Sequence, residues 1–304
     1  MTNPTTTRRR FLQRTVLQGA AATATAAMLT STSTAIEPIT RSGGPKFKFS
    51  VAGYSYRGLL TSGKLTLHDF ISDCAKMNLE GTELTSYYFP KNVSDEFLRN
   101  LKQHCFRLGL DVSGTAVGND FCHPPGKARD QQIASVKKWI EHAEVLGAPV
   151  IRIFSGRPKD GQTPAEAHKL AVAGMEECCE YAGKHGVFLA LENHGGLTTT
   201  VDGMLRLIRD VKSQWFGVNV DTGNFHGADV YADLAKIAPY AINVQVKVVI
   251  KPAGGPTQPS DFKRLAKLLR DANYRGYIVL EYEEAGNPRV ECPKYIKQLR
   301  EAFA

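Results

Sequence analysis

The chain has 304 residues, 42% hydrophobic and 22% charged, an ordinary globular composition with ample material for a large core. That length accommodates one large α/β barrel or two smaller domains. The formal charge of +8 does not mark a nucleic-acid binder: half of it falls on Arg8, Arg9, Arg10 and Arg14, within a 35-residue segment that holds no acid. The remaining charges alternate in sign along helix-like stretches such as 137–144, which makes a solvated surface and not a phosphate-binding stripe.

Taken from the N-terminus, Thr7-Arg8-Arg9-Arg10-Phe11-Leu12 resembles the twin-arginine export consensus. A mildly apolar, Ala- and Thr-rich run from Val16 to Leu29 follows, and the small residues around Ser33-Thr34-Ala35 suit a signal peptidase. The run is too short and too polar to anchor the chain in a membrane. Residues 1–35 are therefore expected to be an export leader to the periplasm, with 36–46 (Pro38, Gly43, Gly44 and Pro45) as a linker and 47–304 as the folded domain.

From Phe47 onward, short apolar strands alternate with amphipathic helices. Strands are predicted over 47–55, 81–88, 110–117, 148–156, 187–194, 216–223, 241–248 and 276–283. Helical patterns fill most of the gaps at 65–77, 94–108, 131–146, 201–211 and 261–272. The clearest helix starts at the capping box Thr163-Pro164-Ala165-Glu166, with proline at the first helical position, and stops at Gly186. This alternation forces parallel strands with right-handed crossovers, and eight strands close into a single-domain (β/α)8 TIM barrel. No Gly-x-Gly-x-x-Gly turn follows the first strand, which argues against a doubly wound open sheet. The six cysteines show no metal-knuckle spacing and read as buried free thiols.

In such a barrel the chemistry gathers at the C-terminal ends of the strands. Strand five ends in Glu192-Asn193-His194, six in Asp221-Thr222-Gly223-Asn224, seven in Gln245-Val246-Lys247 and eight in Glu281-Tyr282-Glu283. Side chains alternate along a strand, so pointing Glu192, Asp221, Gln245 and Glu281 inward sends Leu189, Leu191, Val218, Val220, Val244, Val246, Ile278 and Leu280 towards the helices. The same alternation carries Asn219, Asn243, Lys247 and Glu283 inward. Three carboxylates and an amide at one mouth repel one another if left empty. One divalent cation removes that repulsion, and four oxygen donors from consecutive strands make a reasonable hard-metal site. The alternative is that Lys247 and Arg152 bridge the carboxylates.

The motifs LENHGG, VNVDTGNFHG, NVQVK and GYIVLEYE, the last preceded by the helix DFKRLAKLLRDANY, resemble the xylose-isomerase-like TIM-barrel family of sugar isomerases, epimerases and inosose-dehydratase-like enzymes. The likeness spans 47–304 and is specific as a set. It implies metal ligation at Glu192, Asp221, position 245 and Glu281. Relatives often carry His-x-Lys where this chain has Gln245-Val246-Lys247, and a glutamine oxygen in place of imidazole shifts the expected ion to Mg2+ or Mn2+ ahead of Co2+ or Zn2+. The family chemistry implied is proton removal alpha to a carbonyl, with the ion holding the enediolate oxygen and two carboxylates, Glu192 and Glu281, removing and returning the proton.

Other candidates for substrate contact are His194, Asn224, His226, Lys247, Tyr54, Glu83 and Arg152, each with a structural alternative. The two histidines can equally make loop hydrogen bonds, and Glu83 is expected to pair with Arg152 inside the barrel. Tyr54 can equally pack in the core, and Lys247 can balance Glu281 or Glu283. The leading expectation is an isomerase or epimerase acting on a small, unphosphorylated sugar, with no nucleic-acid partner and with room for a homo-oligomer. A lyase or dehydratase on a keto-sugar shares the first step, and a non-catalytic sugar-binding barrel shares the pocket. The endonuclease-IV-like branch of the same fold needs a histidine-rich trinuclear zinc site. Only His194 and His226 fall near this mouth.

Overall fold

The computed structural model describes residues 35–304. Eight parallel strands form one sheet: β1 (Lys46–Val51), β2 (Gly81–Thr85), β3 (Asp111–Ala116), β4 (Val150–Ile153), β5 (Phe188–Glu192), β6 (Phe216–Asp221), β7 (Ala241–Val246) and β8 (Arg275–Leu280). Each strand pairs with its neighbour in sequence from β2 to β8, and β8 pairs along its whole length with β1, from Lys46–Arg275 to Val51–Leu280. A bridge between Ala52 and Glu83 and the bond from Glu80 N to Phe49 O (3.1 Å) close β1 onto β2. The result is the single-domain (β/α)8 barrel expected from the alternation.

Among the described residues, eight helices of eight residues or more surround it, besides the short helix Arg57–Thr61: α1 (Leu67–Lys76), α2 (Asp95–Arg107), α3 (Lys127–Leu146), α4 (Pro164–Lys184), α5 (Val201–Asp210), α6 (Val230–Ile237), α7 (Phe262–Asp271) and α8 (Pro288–Phe303). The capping box at α4 forms as read: Thr163 Oγ1 accepts from Glu166 N at 3.2 Å, and Glu166 Oε2 accepts from Thr163 N at 2.8 Å. The aliphatic positions assigned to the outer face, such as Leu189, Val218, Val244 and Ile278, are fully buried in the hydrophobic core. All six cysteines are free and buried. Among the described residues no helix is long and apolar enough to cross a membrane.

Three sequence expectations shift. The first two strands end at Val51 and Thr85, and the aromatic stretches beyond them, 53–56 and 86–88, turn into short 3₁₀ segments instead of extending the strands. Tyrosine-rich β propensity suggests continuation, but at the rim the backbone has no further partner to pair with. Helices α6 and α8 did not appear in the pattern. Helix α6 has eight residues, too few for a helical period to stand out, and is fixed by its Asp229 cap; α8 carries Pro293 inside it, which reads as a breaker. Finally, 36–45 is bound chain and not a loose connection. Ile39 N donates to Pro239 O (3.0 Å), Asn273 Nδ2 to Arg41 O (2.7 Å) and Arg275 Nη1 to Gly43 O (2.9 Å). These contacts lie at the N-terminal ends of β7 and β8, opposite the mouth. The export motif read at Arg8 and Arg9 lies outside the described residues.

Candidate active site

Two layers of polar side chains fill the C-terminal half of the barrel. The lower layer is a closed ring. Asn243 Nδ2 donates to Glu83 Oε2 (3.0 Å) and to Asn219 Oδ1 (2.8 Å); Asn219 Nδ2 donates to Gln245 Oε1 (2.6 Å); Gln245 Nε2 donates to Glu83 Oε1 (2.7 Å). Both Glu83 oxygens accept, so Glu83 sets the orientation of Asn243 and Gln245 directly and of Asn219 through them. A register shift between Val218 and Asn219 brings Asn219 opposite Asn243 and Asp221 opposite Gln245. Gln245, expected to offer its oxygen to an ion, is thus engaged at both ends of its amide.

The upper layer holds the charged groups. Arg152 Nε lies 2.9 Å from Glu192 Oε2, and Asn224 Nδ2 donates to Glu192 Oε1 at 2.9 Å. Arg152 therefore turns to Glu192 and not to Glu83, because the amide ring already satisfies Glu83. The guanidinium also donates to Val117 O (3.0 Å) and the Tyr87 hydroxyl (3.3 Å), and sits 4.0 Å over the Phe154 ring, whose neighbour at 4.5 Å is the His194 ring. Lys247 Nζ lies 2.5 Å from Glu281 Oε2, 2.8 Å from Glu283 Oε1 and 3.4 Å from Asp221 Oδ2. Asp221 Oδ1 accepts from Gly223 N at 2.8 Å, while its Oδ2 is buried with no hydrogen-bond partner.

Glu192, Asp221, Gln245, Glu281, Lys247, Arg152 and Glu83 are all buried, so the structure gathers these sequence candidates at one place. Asn224 is half-buried and joins them through Glu192. The two histidines make no hydrogen bond to these groups. His194 is exposed at the start of the β5 loop, and His226 Nδ1 pairs with Lys251 O at 2.9 Å, a loop-fastening role. Tyr54 is half-buried at the rim, where its ring meets Tyr87 edge-on at 6.4 Å and lies under the Arg57 guanidinium at 5.2 Å. Sequence reasoning gave Asn219 and Asn243 no role, although their inward register was the available signal. The stacking of Arg152 on Phe154 left no signal, since it depends on a contact just past a strand end.

The two glycines of LENHGG have a structural cause. Gly195 and Gly196 take φ of +65° and +55°, and a Cβ on Gly196 would lie 2.2 Å from Gly156 O. The β5 loop can cross the β4 loop only without a side chain there.

A family model described as a xylose isomerase-like TIM barrel matches residues 71–302. The chain belongs to that family. Solved structures with the same fold include a xylose isomerase domain protein from Planctomyces limnophilus, 16% identical with TM-score 0.65, covering 86% of this chain and 98% of that one. D-psicose 3-epimerase from Clostridium cellulolyticum H10, solved with D-tagatose, is 15% identical with TM-score 0.68, covering 84% and 99%. The 3-keto-D-glucoside 4-epimerase from E. coli is 16% identical with TM-score 0.66, covering 84% and 100%. No curated protein matches the sequence.

In this xylose isomerase-like barrel the divalent ion implied by the sequence resemblance meets a place already taken. Among the described residues the three carboxylates that converge, Asp221, Glu281 and Glu283, do so on the Lys247 ammonium. Lys247 stands between Asp221, Glu281 and Glu283, Arg152 holds Glu192, and Gln245 is tied to Asn219 and Glu83. The bridging of the carboxylates by these two cations is the arrangement present. The donor set, as placed, does not fit a bound ion.

Burial dominates the proton affinities. It pushes Glu83 up to about 7, helped by Glu281 and opposed by Arg152 and the two amides. It pushes Asp221 up to about 7 as well, against the pull of Lys247, and holds Glu192 well above the ordinary carboxylate range despite Arg152. Lys247 is held above its ordinary value because Asp221, Glu281 and Glu283 together outweigh its own desolvation, so it stands as an ammonium. These carboxylates bind protons more tightly folded than unfolded. Their stabilising contribution is complete below the unfolded values near 4 and is lost as pH rises through about 7. Calorimetric scans are expected to show Tm falling between pH 5 and pH 7.5. Glu83 alone should account for roughly 3 kcal/mol of that loss, and Glu83→Gln should flatten the slope. A Tm rising across that interval would contradict the assignment.

Proposed function

We propose that this protein is a sugar isomerase or epimerase that moves a proton at a carbon alpha to a carbonyl, with Glu192 and Glu281 as the two proton carriers. The observation that carries this reading is the pair of carboxylates at the ends of β5 and β8, buried at one mouth and each held by its own cation, Arg152 and Lys247. Glu192, whose proton affinity is lifted by burial, is a stronger base than a carboxylate in water, which suits abstraction from carbon. Asn224 and Arg152 fix both oxygens of Glu192, leaving little freedom in the direction from which it approaches a substrate. The epimerases of the same fold support a small sugar as substrate, and the acidic mouth, with Glu283 and Glu284 near the rim, favours an unphosphorylated one.

The test is incubation of the protein with free ketohexoses and 3-keto-glucosides in heavy water, followed by NMR. The expected result is deuterium at the carbon next to the carbonyl together with an isomerised or epimerised product. Deuterium with loss of a β-hydroxyl or glycosidic group would make the protein a lyase, and binding without exchange would make it a sugar-binding barrel. We further propose export to the periplasm through Arg8 and Arg9. Changing both to lysine is expected to leave unprocessed chain in the cytoplasm, and an unchanged periplasmic yield would rule that route out.

A further inference from the structure

The sequence pattern places an ion at the barrel mouth; the structure places a side chain there. Lys247 follows the last residue of β7, and its backbone is fixed on both sides: its N donates to Thr222 Oγ1 (2.9 Å), and its O accepts from Ser260 Oγ (2.7 Å). Its stem passes over Gly223, where a Cβ would lie 2.6 Å from Lys247 Cγ. The glycine after Asp221-Thr222 thus opens the path along which the ammonium reaches the carboxylates. Lys247 Nζ then lies within 2.5 to 3.4 Å of oxygens of Glu281, Glu283 and Asp221. A divalent ion on those oxygens would sit a few ångströms from the ammonium and repel it, so the two compete for one place. The amide of Gln245, bound at both ends within the ring below, adds no ligand that would tip the competition towards the ion.

We propose that the Lys247 ammonium is the resident cation of this site and the electrophile of the proton transfer, a role that rests on the acid–base reading above. The step balances without an oxidant or a second reactant. One carboxylate takes the proton from the alpha carbon; the C–H pair becomes the new C=C bond, and the carbonyl π pair moves onto oxygen. Lys247 N–H donates to that oxygen as its charge develops. The second carboxyl group, which enters the step protonated, gives its proton to the carbon, the electron pairs move back, and the two groups regain their starting states by proton exchange with solvent. Glu283 is the partner that yields to substrate: its side chain is 40% exposed, against 7% for Glu281 and 0% for Asp221, so a substrate oxygen can replace it without burying a stranded charge. Asp221, buried and 3.4 Å from the ammonium, stays behind as its counter-charge.

Two measurements on the full-length protein test this. The first is calorimetric titration with Mn2+ alone. The wild type is expected to give no saturable heat, whereas Lys247→Ala and Lys247→Gln, which release three carboxylates, should both bind Mn2+ and gain in Tm on its addition. Circular dichroism would establish that the variants are folded, and two variants guard against one that is not. Saturable Mn2+ binding by the wild type overturns the proposal, as does a folded pair of variants that bind none. The second is solvent-deuterium exchange into a keto-sugar with EDTA present. Exchange should be unchanged in the wild type and fall about 100-fold or more in the Lys247 variants. Loss of wild-type exchange on chelation, or variants as active as wild type, overturns the electrophile role. If no keto-sugar exchanges at all, the acid–base reading fails and the electrophile role with it, while the Mn2+ titration still decides which cation the site holds.

Discussion

Glu192→Gln and Glu281→Gln are each expected to lower solvent-deuterium exchange into a keto-sugar by two to four orders of magnitude, roughly what a positioned proton carrier supplies. Glutamine keeps the shape of the side chain and removes its capacity to take a proton, so the loss should appear in turnover far more than in substrate affinity. The two variants should differ in stability. At position 192 the new amide loses the charge paired with Arg152 at 2.9 Å, and it can present its NH2 to the Asn224 Nδ2 only if Asn224 turns its own amide over. At position 281 Lys247 keeps Glu283 and Asp221 as partners. Glu192→Gln should therefore show the larger drop in Tm. Exchange above one tenth of wild type in either variant would remove that residue from the acid–base pair.

The second large effect is expected from Arg152→Met. The guanidinium lies inside the barrel against Glu192, and removing one member of a buried ion pair typically costs about 3–5 kcal/mol because the other is left charged and unpaired. Urea unfolding at pH 8 should show a loss of that order. Burial raises the proton affinity of Glu192, and without Arg152 it rises further. At pH 5.5 the variant's Glu192 can shed its charge by protonation, so the loss should be distinctly smaller. An equal loss at both pH values would assign the role of Arg152 to its packing on Phe154 and its bond to Val117 O instead of to the charge of Glu192. Arg152→Lys should recover only part of the stability, since a lysine cannot serve Glu192, Val117 and Tyr87 together from one planar fork.

The sequence by itself determined the barrel and which polar side chains point into it. Alternating strands and helices force parallel pairing, and the two-residue period at the strand ends sends Glu192, Asp221, Gln245, Lys247 and Glu281 inward while Leu191, Val220, Val246 and Leu280 face the helices. Both signals are local, so they survive without any knowledge of distant contacts. The capping box at Thr163 was legible for the same reason. The export proposed through Arg8 and Arg9 rests on sequence alone.

What the tertiary structure decided is which of those inward groups touch. Register fixes depth, and depth is set by strand pairing across the sheet, including the shift at Asn219, which no single strand reveals. At one depth Glu83, Asn219, Asn243 and Gln245 satisfy each other as a ring; at the next, Arg152 meets Glu192 and Lys247 meets Asp221, Glu281 and Glu283. The sequence shows an excess of carboxylates and therefore the need for positive charge. Whether a side chain or an ion meets that need depends on the reach of Lys247 past Gly223 and on the engagement of Gln245. Both are matters of ångströms between residues far apart in the chain.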